Sequence, residues 1–298
     1  MNPGYRCGLV AVIGRPNVGK STLINSLMGR KVSIVTAKPQ TTRHRILAVH
    51  TAETQQIIFV DTPGLHRKSG KAMNRLMNRT AANALADADL VLFVSDATRW
   101  TEEDDDVLER LASVRSPVIA LLNKVDKVHP KEKLLETLGS LSSRFKFAEV
   151  VPISAIKHDN LALLMDMIPN YLPESPPLFP EDMYTDRNEQ FHVAEIIREK
   201  LTLQLHQEMP YGLTVQVERL VREERGIAIS AIIWVERDSQ KGIAIGKNGS
   251  VLKKVGRAAR LDIAKLLGQP VHLELFVKVK SNWADNEKDL INLGYEAP

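Results

Sequence analysis

Along the first 170 residues, short apolar runs alternate with longer segments whose apolar residues recur every three or four positions. The runs Gly8–Ile13, Ile46–His50, Gln56–Val60, Asp89–Ser95, Pro117–Asn123 and Glu149–Pro152 predict strands. The segments Lys20–Met28, Lys71–Ala86, Glu103–Ser113, Lys131–Phe145 and Leu161–Asn170 predict helices. Leu90–Val94 and Val118–Leu122 are apolar without a break, as strands covered on both faces must be, so the pattern predicts an α/β fold with a mostly parallel sheet between helices. It stops at Tyr171–Asp182, where four prolines in eight residues exclude a helix or a paired strand. A linker over 171–186 is therefore expected between domains at 1–170 and 187–298. In the second, Val193, Ile196, Ile197 and Leu201 form a helical stripe, while Val271, Leu273, Leu275, Val277 and Val279 alternate along a strand. The order there is helix, two strands, two helices around a glycine turn, and a strand: an α+β pattern.

A length of 298 residues suits two cores better than one. With 44% apolar and 26% charged residues, the composition is that of a soluble globular protein. No apolar run approaches a membrane span and the first residues lack a signal-peptide core, so a cytoplasmic protein is expected. The lone Cys7 excludes an internal disulfide framework and a cysteine zinc site. A net charge of +4 names no partner, and the placement of charge says more.

Gly14-Arg15-Pro16-Asn17-Val18-Gly19-Lys20-Ser21 joins the first strand to the first helix, the context a phosphate-binding loop requires. Its glycines let several N–H groups and a helix N-terminus face one anion; Lys20 can reach the β- and γ-phosphates and Ser21 can hold Mg²⁺. Asp61-Thr62-Pro63-Gly64 ends the third strand, where the carboxylate can meet Mg²⁺ and the Gly64 N–H can touch the γ-phosphate. Between them lies Lys38-Pro39-Gln40-Thr41-Thr42-Arg43-His44. One hydroxyl of Thr41 or Thr42 would complete the Mg²⁺ shell, and sequence does not choose between them. His44 is read either as a general base or as a solvated, phosphate-facing side chain.

Asn123-Lys124-Val125-Asp126 ends the fifth strand and selects the base. Asp126 can accept from the guanine N1–H and exocyclic amine, groups adenine lacks there, while the Lys124 stem covers the ring; adenine would leave the carboxylate unpaired. Ser154-Ala155, after the sixth strand, can offer a backbone N–H to the guanine carbonyl.

In the second domain, Gly246-Lys247-Asn248-Gly249 sits between helices, the arrangement that lets a nucleic-acid backbone approach closely. From Ser239 to Leu261 the chain carries six basic residues (Lys241, Lys247, Lys253, Lys254, Arg257 and Arg260) and no acid. Lys253, Arg257 and Arg260 share one helix face. Trp234, Phe276 and Trp283 are candidates for base stacking or for packing.

The ordered motifs resemble the Era-type GTPases, with the Pro-Gln-Thr-Thr-Arg stretch close to that family's switch loop and the Gly-x-x-Gly unit matching its KH domain. The resemblance implies a P-loop NTPase of Ras-like form followed by an α+β type II KH domain. It implies GTP hydrolysis to GDP and phosphate with Mg²⁺, binding to the 3′ region of 16S ribosomal RNA on the 30S subunit, a monomeric protein, and peripheral contact with the cytoplasmic face of the inner membrane. Two departures stand out. Ile156 replaces the lysine that often follows Ser-Ala. Leu65 follows Gly64 where a glutamine would orient water, which implies slow intrinsic hydrolysis; related GTPases with such a residue can use K⁺, so Asn17 is read either as a K⁺ ligand or as a residue that only shapes the loop. Two rivals remain. One is an RNA-binding protein with a structural, non-hydrolysing nucleotide site. The other, a tRNA-modification or membrane-transport GTPase, would need a reactive C-terminal cysteine or a membrane span.

Overall fold

The structure, a computed structural model, describes residues 4–64, 71–205 and 212–295. It divides into two compact units with the chain boundary between Asp186 and Arg187. In the first unit, β1 (Arg6–Ile13) leads to α1 (Lys20–Met28), then to β2 (Ile46–Ala52), β3 (Gln55–Asp61) and α2 (Ala72–Ala86). There follow β4 (Leu90–Asp96), α3 (Glu102–Leu111), β5 (Val118–Asn123), α4 (Lys133–Ser142), β6 (Glu149–Pro152) and α5 (Leu161–Met167). The sheet order is β2-β3-β1-β4-β5-β6, with β2 antiparallel to β3 and the other pairs parallel.

The unbroken apolar strands are buried on both faces: Val10, Val12, Leu90, Val91, Leu92 and Phe93 show no exposed surface. Phe93 stacks on Phe147 with centroids 6.0 Å apart, and truncating it to alanine would cost about 3–5 kcal/mol. Because β1, β3, β4, β5 and β6 run the same way, the loops that follow them emerge at one end of the sheet, where open α/β folds bind ligands.

The expected helix Lys131–Phe145 shortens to α4, and Leu161–Asn170 ends in α5 and passes into a 3₁₀ turn over Ile168–Tyr171. Pro169 supplies no N–H, so the chain tightens there. The proline-rich stretch is not a free joint. The carbonyl of Pro173 accepts from Cys7, and the Gln56 side chain accepts from the N–H groups of Leu178 and Phe179, both near 2.9 Å. Val49 donates to the carbonyl of Tyr184, and Ala48 bridges Thr185. Tyr184 and Thr185, just past the prolines, thus cover the open edge of β2, which would otherwise present unpaired backbone groups. Proline lacks only the donor, so its carbonyls remain available for such docking.

In the second unit, α6 (Glu189–Gln204) precedes the hairpin β7 (Leu213–Glu223) and β8 (Gly226–Val235), then α7 (Asp238–Ile245), α8 (Ser250–Leu267), β9 (Val271–Val279) and α9 (Glu287–Asn292). β8 is central, antiparallel to β7 and parallel to β9. Val255, Ala259 and Ile263 of α8 are fully buried, joining Val193, Ile197 and Leu201 of α6 in the core. Helix α9 has no long apolar stripe to announce it; Asn286 caps it by accepting from Lys288 and Asp289. Among the described residues, no helix is long and apolar enough to cross a membrane.

Candidate functional site

The loops after β1, β3, β5 and β6 close around a cleft of ≈ 450 Å³ lined by Pro16, Asn17, Gly19, Lys20, Ser21, Gly64, Asn123, Lys124, Asp126 and Ala155. Ile34 to Ala37, outside the motifs named above, line it too, as do Lys38, Gln40, Thr41 and Thr42; His44 does not. The Gly14–Ser21 loop is shaped by contact with its neighbours. A Cβ on Gly19 (φ +104°) would stand 2.5 Å from Asn123 Nδ2, so only glycine fits there. Val18 is buried, and its carbonyl accepts from Asn123 Nδ2 at 2.8 Å. Arg15 turns its side chain away from the cleft to Asp104.

Lys20 is buried, and its ammonium donates to the carbonyls of Gly14 and Arg15 at 2.9 and 3.0 Å. Burial pushes its pKa down to about 8, against the opposing pull of the Asp61 carboxylate. Asp61 is fully buried and neither of its oxygens has a hydrogen-bond partner. Burial raises its pKa, and the nearby hydroxyls of Ser33, Ser21 and Thr42 offset this only in part. A buried carboxylate without partners is costly, and it marks a place for a cation. Ser21 Oγ lies 2.8 Å from Thr42 Oγ1 in the same corner. Two hydroxyls and a carboxylate are the hard oxygen donors Mg²⁺ takes, so the residues present fit that ion. The structure thereby separates the two threonines: Thr42 meets Ser21, while the Thr41 hydroxyl engages Thr36 Oγ1 and the carbonyl of Lys38, each at 2.6 Å. Among the described residues no cluster of three or more His, Cys, Asp or Glu side chains could hold a metal.

Thr62 is buried and ties the loop to β1 through a 2.9 Å bond to the carbonyl of Val12. Pro63 is buried beside it, and Gly64 packs against Pro16, whose ring a Cβ would meet at 3.0 Å. Leu65 lies outside the described residues.

At the base end, Asn123 Oδ1 accepts from the N–H groups of Lys124 and Ala155 at 2.8 and 3.0 Å, joining the loops after β5 and β6. Val125 is buried and its N–H reaches the carbonyl of Ile153. Asp126 Oδ1 accepts from Ser154 Oγ at 2.6 Å, leaving the other oxygen without a bond to this hydroxyl. Lys124 Nζ lies 2.7 Å from the Asn17 carbonyl and 2.6 Å from Asp96 Oδ2, so its stem is held across the cleft. Asp96, at the end of β4, escaped the sequence reading. Burial would raise its pKa, but bonds from Lys124 and Thr98 outweigh that and lower it. Ile156 is 63% exposed at the cleft rim, an apolar lid in place of a lysine.

In the second unit, Gly246–Gly249 forms the turn between α7 and α8. Gly246 adopts φ +75°, and a Cβ there would stand 2.5 Å from Val251 Cγ2. Asn248 is also left-handed, which asparagine tolerates. Lys247, Lys253, Lys254, Arg257 and Arg260 are exposed, Lys241 is half-buried, and none forms an ion pair among the described residues. Phe276 is 48% exposed and Trp234, half-buried, donates to Gln216 Oε1. Of the two readings offered for Trp283 the structure gives packing: it is fully buried, 6.1 Å from Tyr295, with its indole N–H toward the Gly212 carbonyl. An indole so enclosed packs and cannot stack on a base.

Residues 9–124 match the "50S ribosome-binding GTPase" family and residues 208–284 the "KH domain" family. The chain is 48% identical over 293 residues to the "GTPase Era" of Marinobacter nauticus, covering 98% of this chain and 96% of the relative. It is 50% identical over 290 residues to that of Yersinia pestis, covering 97% and 96%. A crystal structure of Era in complex with MgGDPNP and nucleotides 1506-1542 of 16S ribosomal RNA superposes with a TM-score of 0.94 at 39% identity, covering 98% of this chain and 100% of that one. A singly substituted Aquifex aeolicus Era bound to GDP.AlF4- matches equally well, with the same TM-score and identity.

Proposed function

This chain belongs to the Era family of GTPases, and from that premise we propose that it is a GTP-hydrolysing switch that binds the 3′ region of 16S ribosomal RNA and assists processing and assembly of the 30S subunit. Family membership removes the reading of its nucleotide site as purely structural: the reaction is GTP and water to GDP and phosphate. The observation that carries the RNA half is full-length likeness to a protein solved with both a GTP analogue and a 16S segment.

In this reading the backbone of Gly14–Ser21 wraps the phosphates, and Lys20 keeps two of its three donors on the Gly14 and Arg15 carbonyls and turns the third to the β- and γ-oxygens. Ser21, Thr42 and Asp61 would hold Mg²⁺, which neutralises charge developing on the bridging phosphate oxygens. The Gly64 N–H faces the γ-phosphate. Asn123 holds the base loops together while Asp126 reads the guanine N1–H and amine, Lys124 and Ile156 cover the ring, and the Ala155 N–H serves its carbonyl oxygen. The nucleotide is carried by the chain up to Asp186, and RNA by the part from Arg187 onward, where Gly246–Gly249 admits the backbone and Lys241, Lys247, Lys253, Lys254, Arg257 and Arg260 meet its phosphates.

Crosslinking and sequencing of the bound RNA, with and without GTP, tests this: enrichment of the 16S 3′ end is expected, and recovery scattered over unrelated transcripts contradicts it. K⁺ assists hydrolysis through Asn17, which is exposed in the cleft with φ 65°, because Leu65 cannot hydrogen-bond water. Equal turnover in Na⁺ and K⁺ buffers with RNA present would remove that role. The same exposed cations suit anionic lipid; equal flotation with neutral and anionic vesicles would dismiss peripheral membrane contact.

A further inference from the structure

Arg15 is a phosphate-loop residue whose side chain leaves the phosphate site. Its Nε donates to Asp104 Oδ2 at 2.8 Å and its Nη2 to the Arg99 carbonyl at 3.0 Å. Asp104 has no exposed surface. The same Oδ2 accepts from the Thr101 N–H at 2.9 Å and the Thr101 hydroxyl at 3.0 Å, forming the capping box that opens α3. Its Oδ1 is buried without a partner. The carboxylate thus sits where any movement of Arg15 would leave a charge uncompensated. At its other end, the Arg15 carbonyl accepts from Lys20 Nζ at 3.0 Å. One residue is therefore fixed through its side chain to α3 and through its backbone to the lysine.

We infer that Arg15 is a positioning residue for nucleotide binding: its buried pair with Asp104 fixes the carbonyl that aims Lys20, so the pair sets nucleotide affinity without touching the nucleotide. The inference rests on Lys20 being the phosphate-binding lysine proposed above. A buried ammonium needs acceptors in fixed places, and peptide rotation at Arg15 would take one of the two away. The capping box makes the anchor rigid, since Asp104 is held by Thr101 whether or not nucleotide is present.

The test is a cycle of dissociation constants for a fluorescent GDP with the full chain, Arg15→Ala, Lys20→Ala and the double variant. Arg15→Ala should weaken GDP about tenfold in the parent, the loss of one charge-assisted bond, and by less than about twofold when Lys20 is already alanine. Arg15→Lys should restore most of the affinity. An equal factor in both backgrounds, or a lowered melting temperature with unchanged affinity, would reduce the pair to a structural one and overturn the inference. If Lys20→Ala alone leaves GDP binding intact, the phosphate-lysine reading itself fails and takes this inference with it. Should Arg15→Ala not fold, Asp104→Asn enters the same cycle with the same pattern at smaller amplitude.

Discussion

The two units meet anions by opposite means. In the first, the groups that would face the nucleotide are buried or half-buried and already fixed to the protein: Lys20 on two carbonyls, Asn123 on Val18 and Ala155, Asp126 on Ser154, Lys124 on Asp96. In the second, Lys247, Lys253, Lys254, Arg257 and Arg260 stand in solvent beside a glycine turn, with no acid among the described residues holding them. Fixed, desolvated groups discriminate, because a wrong ligand leaves one of them unpaired. Exposed cations attract any phosphate chain, with an affinity that falls steeply with salt. Chemical analogues therefore probe the first site, and salt and backbone access the second.

The largest effect should come from the base reader. Asp126→Asn presents an amide donor where guanine also donates, so GDP affinity should fall roughly a thousandfold, while xanthosine diphosphate, with a carbonyl at that position, should bind the variant better than the parent; calorimetry with both nucleotides would show it. An unchanged preference would mean that the base is read elsewhere. Next is Mg²⁺. Thr42→Ala should slow single-turnover GTP cleavage about a hundredfold by removing one of the ion's supports, whereas Thr41→Ala, whose hydroxyl serves Thr36 and Lys38 instead, should change it less than about threefold. The reverse order would reassign the ligand.

In the second unit, Gly246→Asp introduces both a Cβ against Val251 and a negative charge. RNA affinity should drop about thirtyfold with GDP affinity untouched; fluorescence anisotropy with a short single strand measures it. The smallest effect is the pH response of Lys20. With a pKa near 8 in the free protein, lowered from its unfolded value, the charged lysine costs stability at neutral pH, and stability from this group rises as pH climbs from about 8 toward the unfolded value. Phosphates favour the charged form, so GDP affinity should hold up to about pH 8 and fall by up to about tenfold between pH 7 and 9. Lys20→Ala should flatten that profile, and a slope that survives it belongs to another group.

Much of this was legible in the sequence because the motifs are contiguous and each is punctuated by a strand end or a glycine. Gly14–Ser21, Asp61–Gly64, Asn123–Asp126 and Gly246–Gly249 carry their chemistry within a few residues. Pairs assembled by the fold were not legible. Asp96 meets Lys124 across 28 residues and Arg15 meets Asp104 across 89, and no local pattern ties them. Thr42 and Thr41 differ only in which way each side chain turns. The proline-rich stretch reads as a spacer because composition reports lost donors, while its docking uses carbonyls and the Gln56 amide. Trp283 could be read for stacking or for packing, and only its distance to Tyr295, twelve positions on, and its burial decide for packing.

If these two unlike sites form one switch, linkage makes it measurable: RNA must bind the GTP and GDP forms with different affinities. The most direct test is the dissociation constant of a 16S 3′-end oligonucleotide for the full chain saturated with a non-hydrolysable GTP analogue and, separately, with GDP. A difference of about fivefold or more is predicted; identical constants would contradict the switch and leave a GTPase and an RNA-binding unit that merely share a chain.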